Sequence, residues 1–260
     1  MSENAVFLYS QNPEQQLELE QLALKLELNV LNEEPSDQTV LELNETELSL
    51  TWLEGKKRLN LMLDFVGGAA AHRRLYGGGK SQAIAKACGI SAAYKPSILD
   101  ATAGQGGDAF VLASLGAQVL MLERTAVAYA LLENALERAA AAGDEELAPV
   151  IERMSLLRES ALDYLPKAEA VDIVYLDPMF PERKKSAQVK KNMRVFHSVI
   201  GADSDADDLL VPALAVARYR VVVKRPKGAP FLADTKPTYQ LDGKSTRYDI
   251  YVNKALPSNK

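Results

Sequence analysis

Across 260 residues, 47% of them hydrophobic and with a net charge of −5, the chain has enough apolar material for one catalytic domain and a small additional unit. No apolar run approaches the roughly 20 residues of a membrane span, and the opening Met1-Ser2-Glu3-Asn4 lacks the basic region of a secretory signal. The single Cys88 excludes an internal disulfide and suits a reducing cytosol, and with His72 and His197 far apart neither a zinc site nor a Ser-His-Asp arrangement has material to draw on.

Residues 1–54 carry twelve Asp/Glu against one Lys, whereas the remainder carries 29 Lys/Arg against 23 Asp/Glu. Within the acidic part, Val6-Phe7-Leu8-Tyr9 reads as a short strand. Pro13 to Leu28 reads as a helix with Leu17, Leu24 and Leu28 near one face. Thr39–Leu43 and Glu47–Trp52 alternate around Asn44-Glu45-Thr46, which predicts a hairpin. These signals mark residues 1–55 as a small acidic α+β unit, expected to act as a stabilising cap. Residues 56–95 form a junction containing Asp64-Phe65-Val66-Gly67-Gly68 and a loop rich in Gly and Arg, His72-Arg73-Arg74-Leu75-Tyr76-Gly77-Gly78-Gly79-Lys80-Ser81. Its Gly-Lys-Ser fails as a phosphate-binding P-loop, because the glycine required five positions before Gly79 is Arg74. Arg73 and Arg74 are instead candidates for an RNA contact.

From residue 96 to 260, strand and helix signals alternate. Ser97–Asp100, Gln118–Glu123, Met154–Arg158, Val171–Asp177, Tyr219–Lys224 and Thr246–Val252 read as strands. Asp108–Leu115 reads as a helix stopped by Gly116, and Thr125–Ala142 as one stopped by Gly143. A helix over Asp205–Arg218 has acids at its positive end and Pro212 as a candidate kink. This alternation predicts an α/β fold: a mostly parallel, Rossmann-like sheet with helices on both faces, carrying the N-terminal α+β unit.

Two motifs bear chemistry. Asp100-Ala101-Thr102-Ala103-Gly104-Gln105-Gly106-Gly107-Asp108-Ala109-Phe110 is a glycine-rich turn between strand and helix, where small residues admit a ligand to free backbone N–H groups. Gly104, Gly106 and Ala109 also fit the dinucleotide pattern, with Glu123 nineteen residues on as a ribose-binding acid. An NAD(P)-dependent dehydrogenase is therefore an alternative to an S-adenosylmethionine-dependent methyltransferase. The methyltransferase is preferred on three features. Asp100 ends the strand four residues before Gly104, no residue set for hydride transfer is evident, and Asp177-Pro178-Met179-Phe180 ends the fourth strand. That tetrapeptide has the shape of the (Asn/Asp)-Pro-Pro-(Tyr/Phe) motif of enzymes that methylate an exocyclic amine on a nucleobase. Asp177 and the Pro178 carbonyl would accept the two amine N–H bonds, and Phe180 would stack on the base. Glu182-Arg183-Lys184-Lys185-Ser186-Ala187-Gln188-Val189-Lys190-Lys191-Asn192-Met193-Arg194, six positive charges against one, follows at once. Lys184, Lys185, Lys190, Lys191 and Arg194 are its candidate phosphate contacts.

The chain resembles the bacterial small-subunit ribosomal RNA guanine-N2 methyltransferases of the RsmJ family. The resemblance runs through Asp64–Gly68, His72-Arg73-Arg74, Asp100–Gly104, Asp108–Ser114, Met121–Arg124, Val174–Pro181, Met193–Phe196 and Val221–Pro226, and is looser over the acidic part. It implies S-adenosylmethionine as cofactor, 16S ribosomal RNA or the small ribosomal subunit as partner, and neither metal nor membrane. It also implies cofactor-binding positions: Gly107 and Asp108 in the glycine loop, Glu123 and Arg124, then Glu159, Ser160 and Ala161, then Asp177. A member of the family carries Arg where Gly107 stands and Ser where Ala161 stands. An RNA-binding assembly factor with the same fold is a reading of another class.

Overall fold

The computed structural model describes residues 6–68, 79, 82–179, 191–201, 203–243 and 246–257, and of residues 191–194 the backbone only. The chain begins with a five-stranded sheet. Strand β1 (Phe7–Tyr9) is followed by a 3-10 turn and helix α1 (Gln16–Leu26), then β2 (Asn29–Val30), β3 (Val40–Asn44), β4 (Glu47–Glu54) and β5 (Lys57–Leu61). The spatial order is β2-β1-β3-β4-β5. The hairpin expected around Asn44–Thr46 is β3–β4, with Asn44 opposite Glu47. Its partner β5 lies beyond residue 55, in a stretch too polar to read as a strand, and pairs antiparallel with β4.

The apolar face expected on α1 needs correction. Leu17 and Leu24 are 68% and 82% exposed, and the buried stripe is Leu19 and Leu26 with Leu22 and Ala23 packed beside it. The spacing i, i+3/i+4, i+7 from Leu19 is the better helical match. The helix stops at Glu27, which takes a left-handed φ of 59° while its N–H bonds the Ala23 carbonyl.

After α2 (Ala83–Ala87) comes the larger unit: β6 (Ser97–Asp100), α3 (Gly107–Ser114), β7 (Gln118–Leu122), α4 (Ala126–Ala141), α5 (Ala148–Ile151), β8 (Met154–Leu157), α6 (Ala161–Tyr164), β9 (Val171–Leu176), α7 (Lys191–Ile200), α8 (Leu210–Val216), β10 (Ala217–Pro226), β11 (Tyr239–Asp242) and β12 (Thr246–Val252). Their order is β11-β12-β10-β9-β6-β7-β8. Neighbours from β8 to β10 are parallel, and β12 runs antiparallel to both β10 and β11. The central strands are continuous apolar runs because both faces are covered. Alternate residues divide between two cores: Ile98, Ile173, Tyr175 and Val222 on one face, Leu99, Val174, Leu176, Val221 and Val223 on the other. Helices α3 and α4 cover the first face, and Leu210, Ala213 and Val216 of α8 cover the second. The helix expected over Asp205–Arg218 is shorter. A 3-10 turn (Ala206–Leu209) leads into α8, Pro212 sits in its first turn without kinking it, and Ala217 already belongs to β10.

The two sheets share one core. Leu8, Leu19, Leu26, Leu41, Leu48 and Leu50 join Leu131, Leu132 and Ala135 of α4 in a single apolar cluster. At its edge the Leu48 N–H donates to Asn134 Oδ1 at 3.0 Å, and Asn134 Nδ2 donates to the Thr46 carbonyl at 2.8 Å. Each fully buried leucine there contributes about 2 kcal/mol of transfer free energy.

Candidate active site

The chain reverses direction across the sheet between β6 and β9, which lie side by side while their crossovers leave to opposite sides. Ligands of open α/β sheets sit outside the carboxyl ends of the strands at such a switch point. Here the loops after β6, β7, β8, β9 and β10 line a cavity of about 1250 Å³.

The glycine loop forms one wall. Gly104 and Gly106 have φ of 54° and 71°, values that favour glycine. Gly104 lines the cavity; Gly106 does not. A Cβ on Gly106 would meet Leu132 Cδ1 at 2.5 Å, so this glycine serves the packing of the loop on α4. Gly107 has open space where a side chain would stand. Glu123, at the end of β7, ties the loop down. Its Oε2 accepts from the Gly104 N–H at 3.0 Å, and its Oε1 accepts from the N–H and hydroxyl of Thr125 at 2.8 and 2.7 Å. Three of about four acceptor positions on the carboxylate are thus used, and the residue lines the cavity. Burial raises its pKa, and these hydrogen bonds oppose the rise.

Asp100 is almost fully buried beneath the loop and accepts from the Thr102 N–H at 3.2 Å. Burial pushes its pKa up to about 8, against that hydrogen bond. At neutral pH it is chiefly a neutral acid, able to donate as well as accept.

The opposite wall is the turn after β9. The Asp177 N–H donates to Thr102 Oγ1 at 2.6 Å, which ties this turn to the glycine loop. Met179 exchanges two hydrogen bonds with Asp203: its N–H donates to Oδ2 at 2.7 Å, and its carbonyl accepts from the Asp203 N–H at 2.9 Å. Arg124 grips the same acid. One guanidinium nitrogen lies 2.6 Å from Asp203 Oδ1 and the other 2.6 Å from Asp205 Oδ2. Arg124 therefore reaches the cavity wall with its side chain already engaged, holding the turn that carries Asp177.

Asp108, in the first turn of α3, is engaged too. Its Oδ2 accepts from the Tyr175 hydroxyl at 2.6 Å and from Lys224 Nζ at 2.8 Å. Lys224 Nζ lies also 2.7 Å from Asp177 Oδ2. Burial pushes the Asp177 pKa up, and Lys224 opposes it. Glu159, Ser160 and Ala161 line the cavity at the head of α6, with Glu159 paired to Lys167. Arg225 and Pro226 at the end of β10, and the segment 228–230 beyond it, also line the cavity.

The structure thus gathers Asp100, Gly104, Gly107, Asp108, Glu123, Arg124, Glu159, Ser160, Ala161, Asp177 and Pro178 around one cavity. Phe180, Arg73, Arg74, Lys184, Lys185 and Lys190 lie outside the described residues, as do the side chains of Lys191 and Arg194. Sequence reasoning assigned no role to Thr102, Tyr175, Asp203 or Lys224. For Lys224 a signal existed, a charge closing the apolar run Val221-Val222-Val223 of a central strand. For Asp203, one acid among several in a polar loop, there was none. The cavity suits a polar cofactor at the glycine loop, where the Gln105 Nε2 donor is buried without a hydrogen-bond partner among the described residues. Among the described residues, no cluster of His, Cys, Asp and Glu could hold a metal, and no helix is long and apolar enough to cross a membrane.

Comparison with known proteins agrees with this geometry. Residues 21–253 match the family model described as "Putative SAM-dependent methyltransferase". The chain is 53% identical over 224 residues to a ribosomal RNA small subunit methyltransferase J from Cellvibrio japonicus, covering 84% of each. It is 48% identical over 256 residues to the protein of that name from Photobacterium profundum, covering 96% of this chain and 98% of the relative. A crystal structure of a SAM-dependent methyltransferase from Neisseria gonorrhoeae superposes with a TM-score of 0.73 at 33% identity over 97% of both chains. The dinucleotide alternative falls with these matches, and S-adenosylmethionine is the cofactor of the fold. The chain is an enzyme of the ribosomal RNA small subunit methyltransferase J family.

Proposed function

We propose that this protein transfers the methyl group of S-adenosylmethionine to the exocyclic N2 amine of a guanosine in 16S ribosomal RNA, in the bacterial cytoplasm. The observation that carries the reading is the hydrogen bond from the Asp177 N–H to Thr102 Oγ1, 2.6 Å, which joins an amine-binding turn to a cofactor loop across one cavity. The relatives' names supply the substrate class, and the resemblance of Asp177-Pro178-Met179-Phe180 to the amine-methylating motif supplies the atom.

When bound, S-adenosylmethionine provides an electrophilic methyl group on a sulfonium. Glu123 would hold the ribose through its remaining acceptor position, Gly104, Gly107 and Asp108 would face the cofactor at the loop, and Glu159, Ser160 and Ala161 would line the adenine end. Asp177 accepts one amine N–H and the Pro178 carbonyl the other. Those two bonds turn the nitrogen lone pair out of conjugation with the ring and toward the methyl. Phe180 stacks on a base turned out of its helix. The rate gain comes from positioning and from a carboxylate set beside a nitrogen that gains positive charge. Arg73, Arg74, Lys184, Lys185, Lys190, Lys191 and Arg194 would contact phosphates and fix the register of the RNA.

The test is transfer of labelled methyl from S-adenosylmethionine to small-subunit RNA, and to small subunits, from cells lacking this enzyme, with the product nucleoside mapped. N2-methylguanosine at one position is the expected result. RNA binding without any transfer would leave the assembly-factor reading in its place.

A further inference from the structure

Lys224 ends the valine run of β10 at the carboxyl edge of the sheet, where its Nζ bridges two carboxylates from opposite walls of the cavity. Asp108 Oδ2 lies 2.8 Å away on the cofactor side, and Asp177 Oδ2 lies 2.7 Å away on the acceptor side. Without the ammonium between them, the two carboxylates would be like charges across one cavity, which favours the protonated form of each. Among the described residues, Asp203 from the loop before α8 adds to the pressure on Asp177. Asp100 from β6, Tyr175 from β9 and Cys88 after α2 also face the pair, the pKa of each raised by burial, and Tyr248 of β12 stands opposite Lys224.

We propose that Lys224 is a positioning residue for methyl transfer: it pins Asp177 Oδ2 and keeps Asp177 ionised, leaving Oδ1 to accept from the target amine. This rests on the reading of Asp177 as amine acceptor. In the step concerned, the amine nitrogen forms a bond to the methyl carbon as the sulfur–methyl bond breaks and its electron pair stays on sulfur. The amine, now cationic, releases one proton, for which ionised Asp177 is the nearby acceptor. Asp177 Oδ1 makes no hydrogen bond among the described residues, so it is available for that role. A protonated Asp177 could not take that proton, and it would accept from the amine only as a neutral oxygen. Burial and the neighbouring acids push its pKa up, and the Lys224 ammonium works against them. The same ammonium ties Asp108, at the start of the helix that follows the cofactor loop, to the acceptor turn, so the two walls of the cavity are held in register.

The experiment compares wild type, Lys224→Met and Lys224→Arg in methyl transfer to RNA from cells lacking the enzyme, across the pH range where all three stay folded. Melting temperature and calorimetric affinity for S-adenosylhomocysteine are measured alongside. Lys224→Met should move the acid limb of the kcat profile up by about one pH unit or more, so that activity on that limb falls about tenfold and recovers as pH rises. Lys224→Arg, always charged and able to span two carboxylates, should hold the limb near its wild-type place. A Lys224→Met enzyme whose activity drops equally at every pH, or not at all, would overturn the inference. If Lys224→Met does not fold, the arginine variant decides: an unmoved limb supports the inference and an upward shift overturns it. Wild type that methylates no RNA at any pH brings down the underlying reading, and the inference with it.

Discussion

In the five-stranded sheet and its helix, the buried polar side chains among the described residues are Gln15, Ser49 and Thr51, all neutral. In the seven-stranded sheet they are Asp100, Glu123, Arg220, Arg225, Arg247 and Asp249, all ionisable. Burying a charge costs several kcal/mol unless it is paired and hydrogen-bonded. Among its described residues the smaller sheet avoids that cost, although residues 1–54 hold twelve acids; its acids are exposed except the part-buried Glu42, which pairs with Arg58, and its interior is largely leucine. The larger sheet pairs Arg247 with Asp249 at its antiparallel edge, 2.9 Å apart, and places Asp100 and Glu123 at the carboxyl ends of β6 and β7. Shifted acids in a cleft mark a working site. One sheet is therefore built for packing, and the other accepts an electrostatic cost where chemistry is done.

Substitutions on the two sheets should fail in different ways. Asp177→Ala should cut turnover by orders of magnitude, well beyond any loss of cofactor affinity, because the amine acceptor is lost. Asp177→Asn should retain more, since an amide oxygen still accepts. Single-turnover transfer with parallel calorimetry measures both, and near-wild-type turnover in the alanine variant would remove Asp177 from the chemistry. Leu50→Ala, at a fully buried position of β4, should cost about 2–5 kcal/mol in urea unfolding and leave transfer per folded molecule unchanged. Because the leucines of both sheets form one cluster, unfolding should stay a single transition. Two transitions would mean the sheets melt apart.

What was legible in the sequence follows the same division. The strands β6, β9 and β12 could be read nearly to the residue, because β6 and β9 are apolar runs too short for a helix and β12 is rich in β-branched and aromatic residues. The glycine loop and the Asp177 turn were legible because their chemistry demands rare combinations of residues. The strand β5 was not, since Lys57-Arg58-Leu59-Asn60-Leu61 is paired by backbone at a sheet edge and carries little apolar pattern. Nor was the network among side chains. That Arg124 holds Asp203, that Thr102 accepts from the Asp177 N–H, and that Lys224 joins Asp108 to Asp177 are contacts between residues 47 to 116 positions apart. No local pattern reports them.

Asp100 allows the electrostatic half of the comparison to be measured. Its native pKa of about 8 stands above an unfolded value of about 3.9. The native state thus keeps a proton that the unfolded chain releases. Stability falls as pH rises from about 4 to about 8, and the penalty is complete above that range. Asp100→Asn keeps the acceptor for the Thr102 N–H and abolishes the titration. The variant should gain on wild type by on the order of a few kcal/mol at about pH 8, and by little at about pH 4. Urea unfolding at both pH values checks it. An equal difference at both would mean that Asp100 is ionised in the native protein, and the contrast between the sheets would lose its clearest member.

The smallest effect is expected on α1, where the packing sheet meets solvent. Leu17 and Leu24 are 68% and 82% exposed, whereas Leu26 is 1% exposed and belongs to the shared core. Alanine has the higher helix propensity and loses little here, so Leu17→Ala and Leu24→Ala should each change stability by less than about 0.5 kcal/mol. Leu26→Ala, on the same helix, should cost about 2–5 kcal/mol. Urea midpoints for the three variants separate the faces directly. A cost above about 1 kcal/mol at Leu17 or Leu24 would mean that this face is covered in solution, since surface changes are otherwise small. The stability of wild type would then depend on protein concentration if the cover is a second copy of the chain. A flat concentration dependence with both exposed leucines silent would leave α1 as what its burial pattern shows: a helix held by one stripe, with its opposite face in water.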